Sequence, residues 1–170
     1  MVALTIGELL EWTAEERAKW LPWFKQNPTA LSVAVQPGGR FPTVASLIDH
    51  IFLVEVRHTS RLRKTELPTA TGIAIGDVDA LWAYAAKGRE GVRALLQTLS
   101  EKDAAVPFEV VIPAASPSGA GGKHSMTPRK LLFHMGLHEV RHWAQIAAVV
   151  RMAGFTPPGD HDLFYSKALL

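Results

Sequence analysis

Three histidines recur at a spacing of four residues near the end of the chain, at His134, His138 and His142. In an α-helix, a step of four residues turns a side chain by only ~40° and advances it by ~6 Å, so the three imidazoles follow one stripe. Neighbouring members can hold one metal ion together, whereas the outer two lie ~12 Å apart along the axis and Zn–N bonds are only ~2 Å long. The spacing therefore predicts two ligands from this helix, either His134 with His138 or His138 with His142.

A third ligand must come from another element, and His50 is the first candidate because it lies at the edge of the apolar face of an earlier helix. His58 lies two turns further along that helix, so at most one of the two is expected to meet the ion. His124 and His161 are predicted to lie in exposed loops. The chain contains no cysteine, which excludes thiolate ligands and disulfides and means that any thiol must come from a small molecule.

The residues from His138 to His142 read H-E-V-R-H and match the H-E-x-x-H motif of zinc proteases. In such an enzyme Glu139 would be the general base that activates water. The sequence around the motif does not continue a protease pattern, because no glutamate follows Glu139 as a third ligand, which leaves only Asp160 or Asp162 for that role. A zincin-type metallohydrolase is therefore the weaker hypothesis.

Four segments carry the helical periodicity that would position these residues. The fourth is the clearest, with Thr127 as N-cap, Pro128 at the first helical position and Gly154 at its end. The other three are predicted over Thr5 to Gln26, Thr43 to Lys64, and Asp77 or Asp79 to Ser100.

The first helix is predicted to bend or restart. Thr5 with Glu8, and Thr13 with Glu16, both have the spacing of a capping box, which marks a helix start. Pro22 lies within the same segment and would interrupt its hydrogen bonding.

A hairpin-like excursion is predicted between the third and fourth helices. Phe108 to Ile112 is a short β-branched run, Ser116 to Gly122 is a flexible tip rich in Pro, Ser and Gly, and the chain returns through Lys123 to Met126. The fold class is therefore all-α, a four-helix bundle with a short β-like excursion, in a single domain over residues 1–170.

Composition narrows the class of protein. The 170 residues are 48% hydrophobic and 20% charged, which is an ordinary globular balance for one domain. The net charge of +2 comes from scattered basic residues rather than a stripe, which argues against a nucleic-acid binder. The N-terminus lacks the pattern of a signal peptide, and no apolar run is long enough to cross a membrane, so we expect a cytoplasmic protein.

The chain resembles the DinB/YfiT-like family of small bacterial four-helix-bundle metalloproteins over nearly its whole length. The likeness includes His50 within the second-helix segment SLIDHI and the long connection before the fourth helix. It also includes the pattern H-x-x-x-H-x-x-x-H-x-x-Q from His134 to Gln145, followed by VRMAG and a Pro-rich exit.

The resemblance implies a ligand set of His50, His138 and His142, because that family uses one histidine of the second helix and the last two of the fourth-helix series. It places His134 and Gln145 around the metal or in its pocket. Glu139 is also expected there, although it occupies a variable position of the family and points about 100° away from His138. The expected cofactor is one divalent transition metal, with zinc first and nickel or iron as alternatives, since imidazole suits all three.

Some relatives in that family act as transferases or isomerases with small thiols such as bacillithiol or mycothiol, and others have no assigned reaction. The resemblance therefore implies a metal-dependent transferase with a small-molecule substrate and a low-molecular-weight thiol, and a homodimer. The family often has Arg-Gly where this chain has Trp143-Ala144. We expect Trp143 to reshape the pocket or a helix interface, which favours the alternative of a non-catalytic metal-binding module.

Overall fold

Four long helices carry the fold in the computed structural model, which describes residues 4–36, 39–112 and 121–168. Helix α2 packs against α3 and α5, and α1 packs against the same two helices, so the four enclose a common core. The predicted all-α fold with a short β excursion is confirmed. The helices are α1 (Ile6–Gln26), α2 (Val44–Arg63), α3 (Val78–Thr98), the one-turn α4 (Glu101–Ala104) and α5 (Pro128–Met152), with short 3₁₀ turns at Pro28–Ser32 and Leu163–Tyr165.

Helix α1 begins where its first capping box predicts and then continues without a restart. The Thr5 hydroxyl accepts a hydrogen bond from the backbone N–H of Glu8, whose carboxylate accepts one from the backbone N–H of Thr5. The prediction of a second box at Thr13 is wrong. That residue is buried inside the helix, and its hydroxyl donates to the carbonyl of Leu10 at 3.0 Å. Pro22 also lies within the continuous helix.

Helix α5, the predicted fourth helix, begins as expected. Thr127 is its N-cap, with a hydroxyl that accepts from the backbone N–H of Lys130 at 3.1 Å, and Pro128 is its first residue. The helix ends at Met152, and Gly154 follows with a φ of 88°, a left-handed conformation that glycine adopts readily. The histidine stripe therefore lies well inside a regular helix.

An aromatic cluster fills the core between the long helices. Trp20 stacks on Trp143 with ring centroids 5.3 Å apart, and Phe52 contacts both Trp143 and Trp82 edge-on. Of the two predicted places for Trp143, the structure supports the helix interface and not the pocket, because this side chain is buried in the core between the helices. Trp20 and Trp82 are core residues as well.

Strands β1 (Phe108–Ile112) and β2 (Gly122–Met126) form an antiparallel hairpin in which Phe108 pairs with Met126 and Val110 with His124. This confirms the predicted excursion and its return. Of the predicted tip, residues 116–120 lie outside the described residues. Within the described ranges, none of the helices combines the length with the apolar character that a membrane span requires.

Candidate metal centre

Three imidazoles from two helices converge on one point. Nε2 of His138 lies 3.1 Å from Nε2 of His50, on α2, and 3.1 Å from Nε2 of His142, one turn along α5. One nitrogen from each ring lies within 4.8 Å of the other two. Three nitrogens bound tetrahedrally to one ion at 2.0–2.1 Å would be separated by about 3.3 Å, so the set fits a single transition metal. The spacing allowed either His134 with His138 or His138 with His142 as the pair from this helix. In the structure, His138 and His142 are the two that meet His50.

The hydrogen bond between His142 and Gln145 orients the imidazole for this purpose. Nδ1 of His142 lies 3.1 Å from the amide oxygen of Gln145, which can only accept, so Nδ1 carries the proton and donates. The lone pair of Nε2 is then directed toward the other two rings. Partners of this kind fix the tautomer of metal-binding histidines.

The surroundings of the three histidines keep them neutral. Burial lowers the pKa of His138 to about 2, and the neighbouring His142 adds to the effect. Burial and the charge of Arg40 lower the pKa of His50 to about 3. Burial also lowers the pKa of His142. A metal ion binds imidazole in its neutral form, so at pH 7 all three rings have lone pairs available.

Two further histidines lie beside the cluster without joining it. The ring centroid of His134 is 5.5 Å from that of His138 and 5.7 Å from that of His58. Nδ1 of His58 lies 2.9 Å from the Arg61 guanidinium. The expectation that only one of His50 and His58 meets the ligand set agrees with this geometry, and His134 lines the adjoining cavity.

The predicted exposure of His124 and His161 is wrong, since both are partly buried. His124 lies on β2 and lines the same cavity as the ligand set. His161 stacks on Trp20 with ring centroids 5.3 Å apart, and its Nδ1 lies 2.7 Å from a carboxylate oxygen of Glu16. Both positions depend on contacts with distant segments that local sequence does not encode.

Glu139 faces the protein interior, although it is adjacent to His138 in the sequence. One carboxylate oxygen accepts from Nε of Arg17 at 2.6 Å and from the Trp143 indole at 3.0 Å. The other accepts from Arg17 at 2.8 Å and from Arg89 at 2.9 Å. The carboxylate is occupied by these donors, which corrects its predicted place in the pocket and removes the general base that the zincin hypothesis requires.

Glu139 belongs to a buried charge network that the sequence did not reveal. Arg17 on α1, Glu55 on α2, Arg89 on α3 and Glu139 on α5 are all buried, and each arginine bonds both glutamates. Burial opposes ionisation of Glu55, but the two guanidinium charges outweigh it and lower the pKa of that carboxyl. The four charges balance, and the network joins all four long helices.

A cavity of about 850 Å³ opens beside the three histidines. Its walls come from α2, α5, the hairpin and the segment before α2. Apolar side chains supply much of the lining, among them Val54, Val110, Ile112, Met126 and Leu131. The volume falls within the range of small-molecule sites, so a small substrate can reach the histidines here.

A comparison with protein-family models matches nearly the whole chain to one family. The matching model is described as the DinB family and covers residues 1–168. No curated protein matches the chain.

Proposed function

The chain belongs to the DinB family, and we propose that it is a metal-dependent transferase that acts with a small external thiol. One divalent transition metal would be held by His50, His138 and His142. The observation that carries the proposal is the convergence of three neutral Nε2 atoms beside a cavity of substrate size.

The ligand set favours a catalytic centre over a structural one. Three protein ligands leave room in the coordination sphere for a substrate, whereas structural zinc sites are closed by four. When bound, the ion would supply a Lewis acid that lowers the pKa of a coordinating thiol. The thiol must be external because the chain has no cysteine. Zinc is the expected ion, with nickel or iron as the alternatives.

The residues of the chain perform the positioning. Gln145 holds the His142 ring with its Nε2 lone pair toward the site. The apolar wall formed by Val54, Val110 and Leu131 reduces access of water to a reacting sulfur.

Metal content is the first test. Untagged wild-type protein should retain about one equivalent of zinc, nickel or iron per chain, and His138→Ala should lose it. His134→Ala is the matched control, because His134 is on the same stripe of α5 but outside the ligand set, and this variant should keep its metal. No metal in the wild type, before or after reconstitution, would contradict the proposal.

Turnover is the second test. The loaded protein would be mixed with bacillithiol, mycothiol or glutathione and an aryl halide, and thioether formation would be measured. Activity that disappears with the metal in His138→Ala supports the transferase. Metal without turnover would favour the non-catalytic module. The structure weakens the original argument for that module, because Trp143 packs in the core and does not line the cavity.

A further inference from the structure

Cationic side chains surround the cavity beside the three histidines, and among the described residues that line it there is no carboxylate. The six cationic residues are Arg40 before α2, Arg57 and Arg61 on α2, Lys123 on β2, and Lys130 and Arg141 on α5.

The two fully buried arginines of the core have carboxylate partners, unlike the half-buried and exposed arginines of the cavity. Arg17 and Arg89 are neutralised by two glutamates inside the bundle. In the cavity, Lys123 pairs with Glu109 at 3.0 Å at an exposed edge of the hairpin, and Arg61 contacts a histidine. The excess positive charge of the cavity therefore has no counterpart in its own lining.

Arg57 and Arg141 line the cavity from its two long helices without a carboxylate partner. Arg57, on α2, is half-buried, and within the described parts of the chain no carboxylate pairs with it. Arg141, on α5, is exposed, and no ion pair joins it to a described carboxylate either. The accessible N–H groups of two such guanidinium groups can bind the oxygens of an anion that enters the cavity.

We infer that the substrate taken up beside the metal site is a small organic anion with at least two negative charges on carboxylate or phosphate groups. Guanidinium groups match the geometry of both kinds of oxyanion. A cleft lined by one sign of charge concentrates ligands of the opposite sign. Arg57 and Arg141 bind the anionic groups, and Val54, Val110 and Leu131 contact the apolar part.

The dimensions of the cavity restrict the ligand to a small molecule. A volume of about 850 Å³ accommodates a molecule of cofactor size in a concave site. This inference deepens the proposed function, on which it rests, by naming the charge class of the molecule that reaches the same site.

The test is calorimetric titration at low ionic strength with a matched pair of probes. One is N-(2-naphthoyl)aspartate, a dianion with an apolar ring, and the other is its uncharged bis-amide. Zinc-free and zinc-loaded wild-type protein should both bind the dianion and bind the bis-amide at least roughly tenfold more weakly. Added salt should weaken binding of the dianion, because partly exposed charges are screened.

A double variant and a matched control test the two arginines. Arg57→Gln combined with Arg141→Gln should weaken binding of the dianion by roughly tenfold or more, as expected for loss of charge-assisted hydrogen bonds. Arg151→Gln is the control: it removes an exposed arginine from the last turn of the same α5 helix, outside the cavity, and should change the affinity by less than about twofold. Should the double variant not fold, Arg40→Gln provides the same test from an exposed lining residue outside the helices.

Equal affinity for the dianion and the bis-amide would overturn the inference. So would an unchanged affinity in the cavity variants. The zinc-free arm separates this inference from the proposed function. Arginine-dependent binding by a protein that never takes up metal would refute the function alone, and metal uptake without arginine-dependent binding would refute the inference alone.

Discussion

Replacing Glu139 with glutamine separates two roles for this residue that differ in what they predict. As the base of a zinc protease, Glu139 would be dispensable for folding and essential for peptide hydrolysis. As a member of the buried charge network, it holds Arg17 through both carboxylate oxygens and also accepts from Arg89 and Trp143. The structure therefore predicts that Glu139→Gln is primarily a stability variant.

The expected loss follows from the contacts. A glutamine side chain has one oxygen, so the acceptor sites of the other oxygen become N–H donors that face existing donors. The substitution also leaves two buried guanidinium groups with Glu55 as their only carboxylate partner among the described residues. Removing one partner from a buried ion pair typically costs about 3–5 kcal/mol. For a domain of this size, that loss corresponds to a fall in Tm of roughly 6 to 20 °C.

Urea unfolding followed by circular dichroism measures the effect on the zinc-free protein. Glu11→Gln is the matched control, because Glu11 also binds an arginine, Arg93, but both side chains are about half exposed. Such a surface pair is worth about 1 kcal/mol or less, so the control should unfold close to the wild type. A Glu139→Gln protein as stable as Glu11→Gln would refute the network argument, and loss of a measurable peptidase activity in that stable protein would restore the protease hypothesis.

Three further predictions concern the metal, pH and helix packing. Chelation should lower the Tm of zinc-loaded wild type by removing ligand stabilisation, about 2.7 kcal/mol at a hundredfold excess over Kd, and should leave His138→Ala unchanged. In zinc-free protein the folded-state pKa values of His138 (about 2) and His50 (about 3) lie below the unfolded value near 6.5, so the unfolded chain binds more protons as the pH falls below 6.5. Stability should then be fully present above that pH and decline below it, by up to about 1.4 kcal/mol per pH unit for each histidine, and urea midpoints that do not change between pH 7.5 and 5 would contradict this. A Cβ on Gly136 would lie 2.6 Å from the Leu9 side chain, so Gly136→Ala should cost about 1–3 kcal/mol, whereas Gly7→Ala, with 3.8 Å to the nearest atom, should be neutral or slightly stabilising in the same unfolding assay.

Features that depend on residues close together in the sequence were predicted correctly. The N-cap at Thr127 and the proline after it set the start of α5, and the four-residue spacing set the stripe of histidines. His50 was accessible to sequence reasoning because it lies on the edge of an apolar helical face. The false capping box at Thr13 shows that spacing alone does not mark a helix start, since the same spacing occurs in mid-helix when the hydroxyl donates a hydrogen bond back to a carbonyl.

The charge network was not predictable for a different reason. Arg17 and Glu139 lie 122 residues apart, and each looks like a solvated charge that interrupts an apolar pattern. Only the packing of four helices brings the charges together and excludes water from them. The signal available in the sequence was weak: charged residues occur at positions where the helical periodicity calls for an apolar side chain.

The two helices that supply the histidines, α2 and α5, also supply the two glutamates of the charge network. The buried network and the candidate metal site therefore share these helices. On α2, His50 faces the cavity and Glu55 faces the interior, and on α5 the neighbours His138 and Glu139 do the same. Successive residues of a helix point about 100° apart, so one turn of α5 can serve both sides. Arg17 and Arg89 bind both glutamates and thereby tie α2 to α5 at the level of the ligands. The network therefore stabilises the packing of α2 against α5 near the point where Nε2 of His50 lies 3.1 Å from Nε2 of His138.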